Sequence, residues 1–462
     1  MLSEDAGAGK QVQRSSVAQV LRRATTADAS TDPLFVADLD ELRRQHKRWV
    51  AALPRTEIKT CLDLGISPDR IIYANPCKQS THIRFAWSHG IDLMTFDNAD
   101  ELYKVSQCAP ETRLVLRILA DDSKSLMKFG VKFGADLASV ASLLQLARKL
   151  DLNVMGVSFH VGSGCFDASA FSDAVILARK AFDIAADLGF HFTLLDIGGG
   201  FPGYKQPDAK VSFNEIAARL APVIDDLFPV EQGVQVIAEP GRYFVCSAYT
   251  LAVNVTSKRV VSASSTSAST SLTAASSIST STSSTSTSTS SISTVNSSGN
   301  SEDCDTDAAS DDAPTAVPPT FMYYVNDGIY GSFNCIIFDH AKPVPRPLLV
   351  NREWMYELDT SSGCKSLDAK AHAQDEGDEF HASSRLAAFE KLAMSEYTCS
   401  IWGPTCDSMD CITSSTMLPE LSVGDWIYFS GMGAYTNAAA SEFNGFAKSR
   451  IFYTQTGMEN EC

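Results

Sequence analysis

Leu194-Leu-Asp-Ile-Gly-Gly-Gly-Phe-Pro-Gly203 passes from a short apolar run straight into a glycine-rich turn. Two other segments have the same form, Val157-Ser-Phe-His-Val-Gly-Ser-Gly164 and Val236-Ile-Ala-Glu-Pro-Gly-Arg242. A short continuous apolar run suits a parallel strand buried on both faces. Glycines directly after it let bare backbone N–H groups approach an anion, most often a phosphate. Such ends, spaced about forty residues apart between helical patterns, predict several strands converging on one phosphorylated ligand.

Outward from these turns, apolar strands alternate with amphipathic stretches such as Leu137–Leu150 and Ala168–Leu188. The strands read as 70–75, 93–97, 113–118, 154–161, 192–197 and 234–238, six in all. Alternation of this kind predicts a parallel sheet, open or closed into a barrel. Upstream, Pro33-Leu-Phe-Val-Ala-Asp38 reads as a strand followed by a helical pattern over 39–53, and a short helical pattern covers 17–24. Beyond 319 the texture changes. Short alternating strands at 322–325, 335–338, 397–401, 426–429 and 450–453, with Gly/Pro turns between them, predict a separate β domain.

Between the two textures, Ser262 to Ser301 is almost wholly Ser, Thr, Ala and Asn, and an acidic run follows. Such a stretch cannot bury enough apolar surface to offset its ordering entropy, which predicts disorder. Its place between two strand patterns marks it as an expanded loop, and long insertions cost little closure entropy. A second polar loop is expected at about 351–395.

A chain of 462 residues is long enough for two cores. The net charge of −17 argues against nucleic acid as the main partner, which would want clustered Lys and Arg. A solubility charge explains the acidity more simply than a cationic partner does. The twelve cysteines follow no zinc-ligand spacing, and neither a secretory signal nor a membrane-spanning run is recognisable, so a reducing cytoplasmic setting is expected.

The strand ends together define a candidate site. The backbone of Gly198 to Gly200 and Gly241, the Ser163 hydroxyl and the Arg242 charge suit a phosphate, while His160 is placed to face a planar ring. Glu239 is a carboxylate at a strand end. Beside a pyridine nitrogen it would keep that nitrogen protonated, as an electron sink requires.

With these motifs in view, the chain resembles the eukaryotic ornithine decarboxylases, pyridoxal-phosphate (PLP) enzymes of the alanine-racemase-like barrel class. The resemblance also rests on Tyr73-Ala-Asn-Pro-Cys-Lys-Gln79, Val325-Asn-Asp-Gly-Ile-Tyr-Gly-Ser-Phe-Asn334, Phe338-Asp-His340, Trp402-Gly-Pro-Thr-Cys-Asp407 and Gly433-Ala-Tyr-Thr436. It implies an α/β fold, a PLP-binding (β/α)8-type barrel followed by a C-terminal β domain, and a homodimer with shared active sites. The expected organisation is a flexible N-terminus (1–30), the barrel (31–255, with strand 33–38 joining the β domain), the insertion (256–319) and the β domain (320–462).

The resemblance also implies roles. His160, Ser163, Gly200, Glu239, Pro240, Gly241, Arg242 and Tyr435 would hold PLP. Asp339 and Asp407, with Phe338 beside them, would bind L-ornithine. Cys406 would donate a proton across the dimer interface, and Lys132 with Asp410 would form an ion pair between subunits. Putrescine and CO2 would be the products.

One departure matters. The family anchors its cofactor covalently through a lysine in a strand like Tyr-Ala-Val-Lys-Cys-Asn, expected directly after Ala52-Leu-Pro-Arg55. Here Arg55 runs into Thr56-Glu-Ile-Lys59, which in the family lies about thirty residues further on. The first two barrel strands and the lysine are therefore expected to be missing, in the clean in-frame form of a skipped exon. Lys59 and Lys78 do not sit in a matching motif.

The leading expectation is an ornithine decarboxylase impaired as written. A second is a non-catalytic paralogue that binds the family's inhibitory partner, antizyme. A third is a related decarboxylase acting on arginine, lysine or diaminopimelate. The Asp339/Asp407 pair suits a short diamine, while Phe338, where many relatives have tyrosine, leaves substrate tuning open.

Overall fold

A computed structural model describes residues 15–26, 31–48, 62, 65–203, 211–261, 321–356 and 395–455. The Ser/Thr-rich stretch, the Arg55–Thr56 junction, Lys59 and residues 357–394 of the second polar loop lie outside these residues.

Strand β1 (Leu34–Asp38) belongs to the second of two main sheets. The first sheet holds six parallel strands: β2 (Ile72–Tyr73), β3 (Leu93–Phe96), β4 (Arg113–Arg117), β6 (Asn153–Ser158), β8 (Leu194–Asp196) and β9 (Gln235–Ile237), in that spatial order. Each falls on a run read from the sequence. Between β4 and β6 comes β5 (Ser125–Met127), which pairs antiparallel with β7 (Ser163–Cys165) as a small ribbon beside the sheet's C-terminal ends.

Helices Ser80–Ser88, Ala99–Cys108, Leu137–Lys149, Ala168–Asp187 and Phe213–Leu227 make the crossovers. Their starts are written locally. Asn98, Asp136 and Asp167 accept from the first-turn backbone, and Ser212 with Glu215 forms a reciprocal capping box. Alternate strand residues face opposite ways. Met94, Phe96, Leu114, Leu116 and Leu195 pack under the helices, whereas Leu93, Val115 and Leu194, with Ile72, Met155 and Ile237, make an apolar inner face. Among the described residues neither β2 nor β9 has a partner on its outer edge. Among the described residues the sheet is therefore a half-barrel of six strands.

The second sheet has nine strands. These are β1, β10 (Tyr249–Val260), β11 (Phe321–Val325), β12 (Arg346–Val350), β13 (Glu353–Trp354), β14 (Glu396–Trp402), β15 (Cys411–Pro419), β16 (Trp426–Phe429) and β17 (Arg450–Thr454). β10 and β11 are antiparallel neighbours, so the long insertion joins two adjacent strands. β1 pairs antiparallel with β10 and parallel with β17. Phe35, Leu251, Val253, Tyr323, Ile401 and Phe429 are among the residues of this sheet's core.

One expected strand is not a strand. Residues Cys335–Phe338 form a single helical turn, continuing a 3-10 turn at Ser332–Asn334. A four-residue apolar run carries no period of its own. What decides here is Asp327, whose carboxylate accepts from Gly328 and Ser332 N–H and from the Ser449 hydroxyl, winding the chain just upstream.

Candidate active site at the C-terminal ends of the half-barrel

The ends of β6, β8 and β9 meet over a few ångströms because their glycines permit it. Gly198 has φ +61°, and a Cβ there would stand 2.0 Å from the Phe159 carbonyl oxygen. Gly200 has φ +104°, and its Cβ would stand 2.4 Å from the Gly162 oxygen. Both positions need glycine for the backbone angle and for the closeness of the neighbouring loop. The Glu239 N–H donates to the Gly198 carbonyl at 2.7 Å, tying the third strand end to the second.

His160 lies beside this turn. Its Nδ1 accepts from the Gly162 N–H at 2.9 Å, which places the ring hydrogen on Nε2. Burial, aided by the Arg117 charge, pushes its pKa down to about 3, so the ring is neutral. Phe129 packs edge-on against it, with ring centroids 4.9 Å apart. A neutral flat ring of this kind suits stacking on an aromatic cofactor.

Arg242, Ser163 and Asp339 form a buried cluster. The Arg242 Nη2 group donates to Ser163 Oγ at 3.1 Å and to Asp339 Oδ1 at 2.5 Å. Arg242 Nε is buried and has no acceptor. The guanidinium also lies 5.0 Å from the Tyr435 ring centre, and the Tyr435 hydroxyl is 3.6 Å from where a Gly241 Cβ would stand. An unpaired buried donor, a hydroxyl and positive-φ glycines at one place are the donor set an oxyanion requires. Tyr435 itself sits at φ +54° and is about half exposed at 47%. Pro240 is buried beneath the turn.

Glu239 is only partly buried, but it does not act alone. It makes a side-chain hydrogen bond with Asp196, which is fully buried. Asp196 Oδ1 accepts from the Gly198 N–H at 2.9 Å, and no N–H or hydroxyl donor reaches Oδ2. Burial raises the Asp196 pKa well above the ordinary carboxyl range, and the neighbouring Glu239 charge adds to the rise. Asp196 is therefore the carboxyl that carries the proton of this hydrogen bond. Arg117, partly buried over the Phe133 ring, feels both carboxylates and Asp97.

Asp196, Arg117 and Phe129 were not singled out in the sequence. The first two carried a signal nonetheless: a charged side chain inside an otherwise apolar strand must find a partner.

Cys406 and Asp407 lie apart from this cluster, in the turn between β14 and β15. Cys406 is exposed. Asp407 accepts from the Tyr330 hydroxyl and from the Met409 N–H, and these bonds hold its pKa below the ordinary value. Phe338 is 58% exposed at the end of its helical turn. Asp410 is buried, accepting from Ile329 N–H, Thr405 N–H and the Thr405 hydroxyl, while Lys132 lies exposed over the Phe133 ring. The chain thus assembles His160, Ser163, Gly200, Glu239, Gly241, Arg242, Tyr435 and Asp339. It leaves Cys406, Asp407 and Phe338 facing outward.

Lys78 is fully committed elsewhere. Its buried ammonium pairs with Glu101 at 2.8 Å and donates to the carbonyls of Asn75 and Thr95. Among the described residues no His/Cys/Asp/Glu group could hold a metal ion, and no helix is long and apolar enough to cross a membrane.

Comparison with known proteins agrees with this geometry. The pyridoxal-binding domain of the pyridoxal-dependent decarboxylases matches residues 41–246. Ornithine decarboxylase from Schizosaccharomyces pombe is 40% identical over 96% of this chain and 89% of its own length. The enzyme from Rattus norvegicus is 39% identical over 95% of this chain and 84% of its own. Antizyme inhibitor 2 from Xenopus laevis is 40% identical over 91% and 81%. Among solved structures, the agmatine-bound arginine decarboxylase of Paramecium bursaria Chlorella virus superposes with a TM-score of 0.68 at 25% identity, covering 94% of this chain and all of the other. The chain belongs to the PLP-dependent ornithine and arginine decarboxylase family. Its relatives within that family include eukaryotic ornithine decarboxylases and an antizyme inhibitor.

Proposed function

We propose that this chain is an ornithine decarboxylase of polyamine biosynthesis which, as written, holds PLP without a covalent anchor and turns over poorly or not at all. The observation that carries the reading is the contrast between the intact Gly198–Gly200/Ser163/Arg242 cradle and the open half-barrel beside it.

Ser163, Gly200, Gly241, Arg242 and Tyr435 would hold the phosphate, with Pro240 fixing the turn. His160 would cover one face of the ring, and Glu239 with Asp196 would hold a proton at the pyridine nitrogen. PLP, when bound, supplies the electron sink for the pair left behind when CO2 departs. Asp339 and Asp407 together suit the cationic distal amine of ornithine, and losing either would weaken the pairing of that charge. Phe338 would line the substrate's path. Cys406 reaches none of these groups within one chain, so it would donate its proton from a second copy of the chain in a homodimer. Lys132 and Asp410, unpaired with each other within the chain, fit the same arrangement. The same reading places the protein in the cytoplasm.

The test is direct. Purified chain is titrated with PLP, then treated with borohydride and examined by mass spectrometry. Binding with no lysine adduct, and no CO2 released from labelled ornithine, is the expected result. A lysine adduct with steady turnover would overturn it. Inserting a Val-Lys-Cys strand pair at the Arg55–Thr56 junction should restore both adduct and turnover.

A second reading, a non-catalytic regulator binding antizyme, is favoured by the similarity to antizyme inhibitor 2. Tight antizyme binding by a chain that does not bind PLP would select it.

A further inference from the structure

The Arg242 guanidinium is shared between two groups that the proposed function assigns to different ligands. Its Nη2 reaches both Ser163 Oγ, on the phosphate side, and the Asp339 carboxylate, on the amine side. All three side chains are buried. A cavity of about 270 Å³ opens beside them, with Arg242, Asp339, Cys335 and Thr436 in its wall. Lys342 and His340 also line it, but both are exposed, where water screens their charge, and the partly buried Arg346 lines it too. The cation in direct contact with the Asp339 carboxylate is Arg242.

Two anions cannot both claim one guanidinium at full strength. An oxyanion arriving at Ser163 and the free Arg242 Nε draws the guanidinium toward itself. Asp339 is then a buried carboxylate short of its cation, a costly state that a cationic amine relieves. Conversely, an amine on Asp339 frees Arg242 for the oxyanion. Each ligand alone must loosen the pair, and the second finds it already loosened.

We propose that the Arg242–Asp339 ion pair is a coupling latch, through which an oxyanion at Ser163/Arg242 and a diamine at Asp339 strengthen each other's binding. This rests on the proposed reading of the cradle as a phosphate site. Linkage makes the effect reciprocal, each ligand tightening the other by one common factor. A chain without phosphate at the cradle therefore binds amines at Asp339 more weakly, by that same factor.

The test uses the full chain, with inorganic phosphate and 1,4-diaminobutane as probes in calorimetric titrations, each alone and with the other saturating. The expected result is a mutual tightening of about tenfold, within the range usual for coupled sites. Sodium chloride at matched ionic strength should leave the diamine affinity unchanged. Asp339→Asn should bind phosphate several-fold more tightly and show no coupling. If phosphate binds but diamine affinity is the same with and without it, or if chloride reproduces the effect, the latch is wrong. It is equally wrong if Asp339→Asn binds phosphate no better than the parent chain. Should phosphate fail to bind the parent chain at all, the cradle reading falls and the latch with it. The parent chain's own titrations decide the matter if the variant does not fold.

Discussion

The cradle at the ends of β6, β8 and β9 and the turn at 403–410 are both built from glycines and carboxylates, yet they differ in where their chemistry points. In the cradle, Gly198, Gly200, Glu239 and Arg242 close on one another, and the unmet donor, Arg242 Nε, faces inward. In the turn, Asp410 is buried, accepting from Thr405 in its own loop and from Ile329 in another, while Cys406 and Met409 face out. One region is organised to receive a ligand within the chain. The other is organised to present a thiol and a carboxylate to something outside it, which in the proposed reading is a second copy.

The largest effect that would break or sharpen this contrast is all-or-none. In a chain carrying the restored lysine segment, Cys406→Ala and Arg242→Ala subunits should each be inactive alone. Mixed, they should recover up to about a quarter of parental CO2 release, the statistical share for sites built from two chains with inactive subunits. No recovery after confirmed subunit exchange would mean that the site is not shared.

Next in size, Gly200→Val should abolish PLP binding in a fluorescence titration, a loss of 100-fold or more, because backbone angle and the Gly162 carbonyl both oppose a side chain. Unchanged binding would mean that the cofactor is held somewhere other than the cradle. On the turn's side, Asp410→Ala should destabilise the chain by about 3 kcal/mol in urea denaturation, since three buried donors lose their acceptor. The partly exposed Asp407→Ala should cost less than about 0.5 kcal/mol by the same measurement.

The remaining effect is one of pH. The unfolded His160 titrates near its ordinary value, 6.5, and the folded ring only near 3. The unfolded state therefore binds the proton first as the solution is acidified, so this contribution is complete above about pH 6.5 and is lost as pH falls toward 3. The slope it adds is at most about 1.4 kcal/mol per pH unit, and His160→Phe should remove it from the acid limb of the stability profile.

Much of this was readable from residues, because apolar runs and glycine ends are local signals. All six strands of the half-barrel and the glycine turns at their ends could be placed that way. Three kinds of feature were not legible. The helical turn at Cys335–Phe338 depends on Asp327 holding the loop upstream, a tertiary effect invisible in four apolar residues. The hydrogen bond between protonated Asp196 and Glu239 arises from two strands meeting, and each carboxyl looked separate in the chain. The Arg242–Asp339 pair joins positions nearly a hundred residues apart, with the long insertion between them. Residue types predicted what each group could bind, and geometry alone revealed that they bind each other first.

The placement of β1 has a consequence for how the protein comes to exist. Leu34 lies against Arg450 in a parallel pair, so the strand's neighbour is made about 400 residues later. At 5–20 residues per second, that is roughly 20–80 s on the ribosome during which an apolar strand has no β17 to lie against. The half-barrel can gather its helices as it emerges, but the second sheet cannot close until the last strand is released. An early stop anywhere before residue 450 would leave Leu34-Phe-Val-Ala short of that neighbour, an adhesive edge open to other chains. Until the final residues arrive, β1 can lie against β10 on one side, while its other edge waits for β17.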